Sequence, residues 1–179
     1  QLHSAIKFTL SVLFQGSLER FSHLVTYSSE EVADDEHRLV IVPSGFFGSE
    51  IYGTAQSIPN APLNCVNGIP VLFGSGKIRR SNNSRGESRI VLEADLVASA
   101  YFMLTRYEEV VRRDIRDEHG RFPGRQSLAY RCGFLFRPIV DEYSQLLREL
   151  LLDLGEDISG TPQQINKVYL THDVDAPFT

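Results

Sequence analysis

The chain contains no apolar run near the roughly 18 residues that a membrane-spanning helix requires, so a helical span is excluded. It is poor in cysteine. Cys65 and Cys132 lie far apart, with no C-x-x-C pair and no disulfide framework, and read as two free thiols of a reducing compartment. Excess positive charge is also lacking: 18 Lys and Arg face 23 Asp and Glu, for a net charge of −5. That balance supplies no general attraction to nucleic acid or to anionic membranes. No internal repeat is present. The first residue is Gln rather than Met, as expected of a chain that is part of a longer gene product; the thiols point to the cytoplasm, with a removed signal peptide left open. What remains is ordinary for a globular chain: 179 residues, 42% hydrophobic and 23% charged, enough for one domain with a core.

Periodicity divides the chain into short elements. Ile6, Leu10, Leu13 and Phe14 recur at helical spacing before Gly16 and predict a helix over 4–15. Strands are predicted over 21–27 and over 38–42, the latter stopped by Pro43, with another beginning at Gly45 to Gly48. Residues 53–68 read as loop, 70–73 as a short strand, 74–89 as a polar loop carrying Lys77, Arg79, Arg80, Arg85 and Arg89, and 89–92 as a strand. Asp95 is placed to cap a helix whose face is Leu96, Ala100, Met103, Leu104, Tyr107 and Val111. Pro138 opens another, with Ile139, Tyr143, Leu146, Leu147, Leu150, Leu151 and Leu154 as its buried stripe and Gly155 as its stop. The interspersed elements predict an α/β fold, with a mixed α+β arrangement as the variant: a central mixed sheet of about four to six strands flanked by helices. Three segments follow: a domain over 1–155, a linker over 156–166, and a new strand opening over 167–179.

Several stretches suggest chemistry. Gly74-Ser75-Gly76-Lys77 is not a phosphate loop, because Val71 stands where the first Gly is needed and Ile78 where Ser or Thr must follow the Lys. Asp117, Glu118, His119 and Arg121 crowd one turn; they read either as a metal or acid–base cluster or as a surface turn with ion pairs. No G-x-S-x-G elbow is present. Phe46, Phe47, Tyr52 and Tyr130 could offer sugar-stacking faces or fill a core. His172, Asp173 and Asp175 follow the apolar Val-Tyr-Leu of 168–170; carboxylates at i and i+2 on a strand point the same way, at the end of a strand where α/β enzymes place reacting groups.

DLVASAYFMLTRYEE at 95–109, RDEHGRFPGRQSLAYRCGFLFRPIVDEY at 116–143 and YLTHDVD at 169–175 together resemble the uncharacterised N-terminal domain of bacterial, Bacteroides-type polysaccharide deacetylase-like proteins. The resemblance is specific between 95 and 143 and covers roughly 4–175 in layout. It implies that a deacetylase domain, similar to a distorted (β/α) barrel, begins near residue 167 in the same chain. There Asp173 would act as base on a metal-bound water. Val174 stands where a metal-binding Asp is usual, with Asp175 one position further and His172 beside them, and the later histidine pair of the family is absent. A zinc-like centre needs three protein ligands, so these 179 residues alone are expected to hold no cofactor and perform no hydrolysis, while the full-length protein would be a metal-dependent hydrolase. The expected role is a non-catalytic accessory domain that positions a glycan or supports domain assembly, with no nucleic-acid partner. The alternatives are a scaffold or dimerisation domain, and an independent hydrolase using the 114–121 turn.

Overall fold

The two most apolar short runs of the sequence lie side by side in the computed structural model, which describes residues 2–160, Tyr169 and Thr171. Strand β2 (Leu39–Ile41) pairs in parallel with β6 (Ser88–Ala94), Leu39 opposite Ile90 and Ile41 opposite Leu92. Strand β1 (Val25–Tyr27) adds in parallel on the other side of β2. Strand β5 (Gly74–Asn82) closes the far edge antiparallel to β6, giving the order β1-β2-β6-β5. A separate hairpin joins β3 (Asn64–Val66) to β4 (Ile69–Val71). Six helices complete the described residues: α1 (Leu2–Leu13), α2 (Leu18–Phe21), α3 (Leu96–Leu104), α4 (Tyr107–Val111), α5 (Leu128–Arg131) and α6 (Ile139–Asp153). The architecture is thus a mixed sheet with helices, as the interspersed periodicities predict. No helix among the described residues is long and apolar enough to cross a membrane.

Alternation along the strands decides what each face meets. Leu39, Ile41, Ile90 and Leu92 join one apolar core with Leu13 of α1, Leu96 and Ala100 of α3, and Tyr143, Leu146, Leu147 and Leu150 of α6. The three helices pack against one another over this face. Val40 and Val91, paired in register, point the opposite way and are also buried. There residues 28–36 supply carboxylates to the sheet's arginines: Glu30 pairs with Arg79, and Asp35 with Arg89 at 3.5 Å. After α6 the chain is stitched back, Arg38 to Glu156 at 2.9 Å and Arg20 to Asp157 at 3.2 Å, so the first residues of the expected linker dock on the domain.

Several elements differ from expectation. Residues 74–82 form the longest strand instead of a loop. Its side chains are largely exposed, so no buried stripe marks it, and its order comes from pairing with β6 and from packing of its first residues against β3. Its Gly-Ser-Gly start is a bulge rather than a ligand loop: a Cβ on Gly74 would sit 2.4 Å from the Glu93 carbonyl oxygen, and one on Gly76 2.5 Å from that of Cys65. The segment expected as strand over 21–27 spends its first residue in α2. Residues 45–48 turn instead of extending. The loop expected over 53–68 contains a short 3₁₀ turn at Ala55–Ser57 and strand β3. Finally, the single helix expected from 96 to 111 breaks at Arg106, whose backbone is left-handed at φ 52°; the apolar spacing runs across the break because Tyr107 is buried on both readings.

One carboxylate ties these parts together. Asp95 caps α3 as expected, its Oδ1 accepting from the Ala98 amide at 2.8 Å. Its Oδ2 accepts three more bonds, from the Ser44 amide and hydroxyl, each at 2.7 Å, and from the Tyr27 hydroxyl at 3.0 Å. The side chain is fully buried. It therefore joins the C-terminal ends of β1, β2 and β6 to the start of α3. Burial pushes the Asp95 carboxyl above its ordinary value, against the pull of its four donors, and burial beside Asp95 likewise raises the Tyr27 hydroxyl. A raised folded-state value means that the native protein keeps a proton the unfolded chain has released, so this contribution to stability falls as pH rises from about 4. Asp95→Asn presents an N–H to one of the donors and is expected to cost about 1–2 kcal/mol near pH 4. The gap between wild type and variant should narrow as pH rises; urea titrations from pH 4 to 8 measure it, and a gap that widens instead would mean an ionised, lowered Asp95.

Candidate functional site

Ser44, anchored on Asp95, launches the segment 45–58, which carries aromatic side chains onto α3 and α4. Phe46 is buried at the centre, its ring 4.9 Å from that of Phe47, 4.7 Å from Phe73 and 4.9 Å from Tyr107. Tyr52 lies beyond it, 5.7 Å from Phe46 and 5.3 Å from Tyr107. Such tilted and edge-on contacts suit the ring quadrupoles and order the segment without regular secondary structure.

The tyrosine hydroxyls divide into two groups by proton accounting. Ser57 donates its hydroxyl to the Thr54 carbonyl at 2.6 Å, so the 2.8 Å bond between Ser57 and Tyr107 must be donated by Tyr107. Tyr107 in turn accepts from the Gly53 amide. That hydroxyl is fully used. The Tyr52 and Tyr101 hydroxyls meet each other at 2.6 Å; one donates, and the other keeps its proton for a third group. Burial, with the bond to Tyr101, raises the Tyr52 hydroxyl to about 12, so it stays neutral near pH 7.

These residues line a cleft of about 300 Å³ formed by Tyr52, Gly53, Tyr101, Thr105, Tyr107, Val110, Val111 and Arg113. The lining holds no carboxylate, histidine or cysteine, and its tyrosine hydroxyl is too weak an acid to serve as a base at neutral pH. It offers ring faces, hydroxyl donors and one arginine. The wall carrying α4 is held by Glu108, a buried carboxylate that accepts from Arg112 at 2.7 Å, Arg131 at 3.2 Å and the Leu128 amide at 2.7 Å. A second cleft, of about 340 Å³, lies between the β5–β6 end and α6, but its two cations are already paired, Arg80 with Asp153 at 2.7 Å and Arg89 with Asp35 at 3.5 Å.

The residues singled out in the sequence are dispersed. Asp117 closes a turn, accepting from the amides of His119 at 2.9 Å and Arg121 at 2.8 Å, and these bonds lower its carboxyl. Glu118 and His119 project outward, 85% and 62% exposed, and Arg121 reaches only Asp117, at 3.4 Å. They line neither of these clefts, and among the described residues no group of three or more His, Cys, Asp or Glu could hold a metal ion. Asp173, Asp175 and His172 lie outside the described residues. Of the aromatic candidates, Phe46 is core, Phe47 is half-buried against it, Tyr52 lines the cleft, and Tyr130 stands on α5 away from it. Tyr101, Tyr107 and Arg113 were not marked by sequence reasoning. The available signal was that tyrosines, rather than Leu or Phe, occupy the α3–α4 face.

Residues 3–156 match the model of a family of unknown function (DUF7033), and the chain belongs to that family. The match ends before the 169–175 segment that carries the deacetylase resemblance. No curated protein and no solved structure matches the chain.

The two hydroxyl groups predict different mutational costs. Tyr107→Phe leaves the Gly53 amide without its acceptor and is expected to cost about 1–2 kcal/mol. Tyr52→Phe, at a hydroxyl open to the cleft, should cost under about 1 kcal/mol. Chemical denaturation gives both values, and hydrogen exchange at Gly53 should accelerate only in the Tyr107 variant.

Proposed function

We propose that this member of the family is a non-catalytic accessory domain that holds a sugar ring in the tyrosine cleft and positions a glycan for a polysaccharide deacetylase-like domain of the same protein. The carrying observation is the composition of the cleft, with tyrosine faces and an uncommitted hydroxyl proton but no carboxylate, histidine or cysteine. A pyranose offers a C–H face for the rings and hydroxyls for the Tyr52–Tyr101 pair, the mixture of apolar lining and few polar groups that small-molecule clefts use. The hydrolytic step, and the divalent metal that would supply an activated water, belong on this reading to the domain that the 169–175 resemblance implies. An oligosaccharide titration followed by amide shifts tests the cleft. Binding on the order of 1 mM, with shifts centred on Gly53, Thr105 and Val110 and lost in Tyr52→Ala, is expected; no shift at saturating sugar would count against it. Acetate release from acetylated oligosaccharides with zinc present is expected only from a chain extended through the next domain. Release by these 179 residues would return attention to Asp117, Glu118 and His119.

Exposed apolar side chains favour a second reading, a scaffold that docks a partner or a second copy. Phe136 is 97% exposed, its neighbour Leu135 43% and Val110 67%; an interaction surface on this reading would join them into one apolar patch. A monomer by light scattering at high concentration would remove the dimer form of that reading.

A further inference from the structure

The cleft carries a charge that nothing in the domain uses. Arg113 follows α4, is exposed, and makes no hydrogen bond or ion pair among the described residues. Its neighbours are committed. Arg106 grips Glu109 through two bonds, at 2.9 and 2.6 Å. Arg112 binds Glu108 at 2.7 Å and the Gln126 carbonyl at 2.9 Å. Arg116 folds onto the main-chain carbonyls of Glu109, Arg112 and Ile115, which hold it without cancelling its charge. Asp114, next in sequence, is exposed and pairs with neither. The rim is thus positive in a protein whose net charge is −5.

Position makes this charge specific. Arg113 lines the tyrosine cleft and also an adjoining cleft of about 410 Å³, whose other lining residues are Thr105, Arg106, Glu109, Val110 and Arg116. It stands where the two meet, so a ligand lying across the tyrosines and continuing into the second cleft passes it. The one carboxylate in either lining, Glu109, is already bound by Arg106. A guanidinium with its planar N–H fork free is matched by a carboxylate, which it takes through two parallel bonds, and such pairing is worth more beside an apolar wall than in open water. Neutral sugars would leave that fork to solvent.

We infer that the tyrosine cleft selects an acidic saccharide, a hexuronate whose ring lies on the tyrosines and whose carboxylate pairs with Arg113. This rests on the sugar-binding reading above and adds the substrate class. The probes are a tetragalacturonate and its methyl ester, which have the same rings and differ in charge. Titrated against the full chain at low salt, the acid is expected to bind at least tenfold more tightly than the ester. Arg113→Ala should bring the two within threefold, chiefly by weakening the acid, while Arg113→Lys should retain part of the preference. Raising the salt should weaken the acid alone. Equal binding of acid and ester in the cleft, unaltered by Arg113→Ala, would overturn the acidic selection and leave sugar binding standing. Failure of both probes to shift the cleft amides would overturn both.

Discussion

The fold turns on burying one carboxylate among donors that arrive from different parts of the chain. Among the described residues Asp95 has no cationic partner; it is held by two amides and two hydroxyls. A buried carboxyl of this kind is costly unless its bonds are made together, and making them fixes where β1, β2 and β6 end relative to the start of α3. Everything that follows Ser44 inherits that position. The 45–58 segment is a chain of local turns with one short 3₁₀ turn, and its rings sit in a defined cluster because it is pinned to Asp95 at Ser44 and to Tyr107 through Gly53 and Ser57.

Glu108 performs the corresponding task on the opposite wall. It draws Arg112, Arg131 and the first amide of α5 onto α4, so the tyrosine cleft lies between two braced bodies, one for each buried carboxylate. This arrangement explains why the break at Arg106 does not loosen the site. The left-handed turn redirects the chain, and α4 is then held by contacts outside itself instead of by continuity with α3.

Legibility in the sequence followed burial. Helix α6 was read closely because Ile139, Tyr143, Leu146, Leu147, Leu150 and Leu151 are all buried at helical spacing. The runs at 39–41 and 90–92 were equally plain because every residue in them is buried. Strand β5 was missed because exposed side chains impose no pattern, and the break at Arg106 because a buried Tyr107 continues the apolar rhythm. The β3–β4 hairpin did carry a signal. Asn67-Gly68, both with positive φ, stands between two apolar pairs as a two-residue turn requires, but the surrounding Pro, Asn and Gly dominated the reading. The cleft was legible only in part. Tyr52 is a candidate in the sequence; Tyr107 stands on the predicted apolar face and Tyr101 off it, and nothing in sequence distinguishes Arg113 from the arginines around it until their partners are known.

Strand β5 has a wider consequence. Its beginning is sealed by close backbone packing at Gly74 and Gly76, while from Lys77 onward it presents mostly polar and charged side chains along the sheet's border. Such an edge resists pairing with a stranger's strand. Its arginines are at the same time spent inside the molecule, Arg79 on Glu30 and Glu93 and Arg80 on Asp153, so the border that ends the sheet also ties it to the 28–36 segment on one face and to α6 on the other.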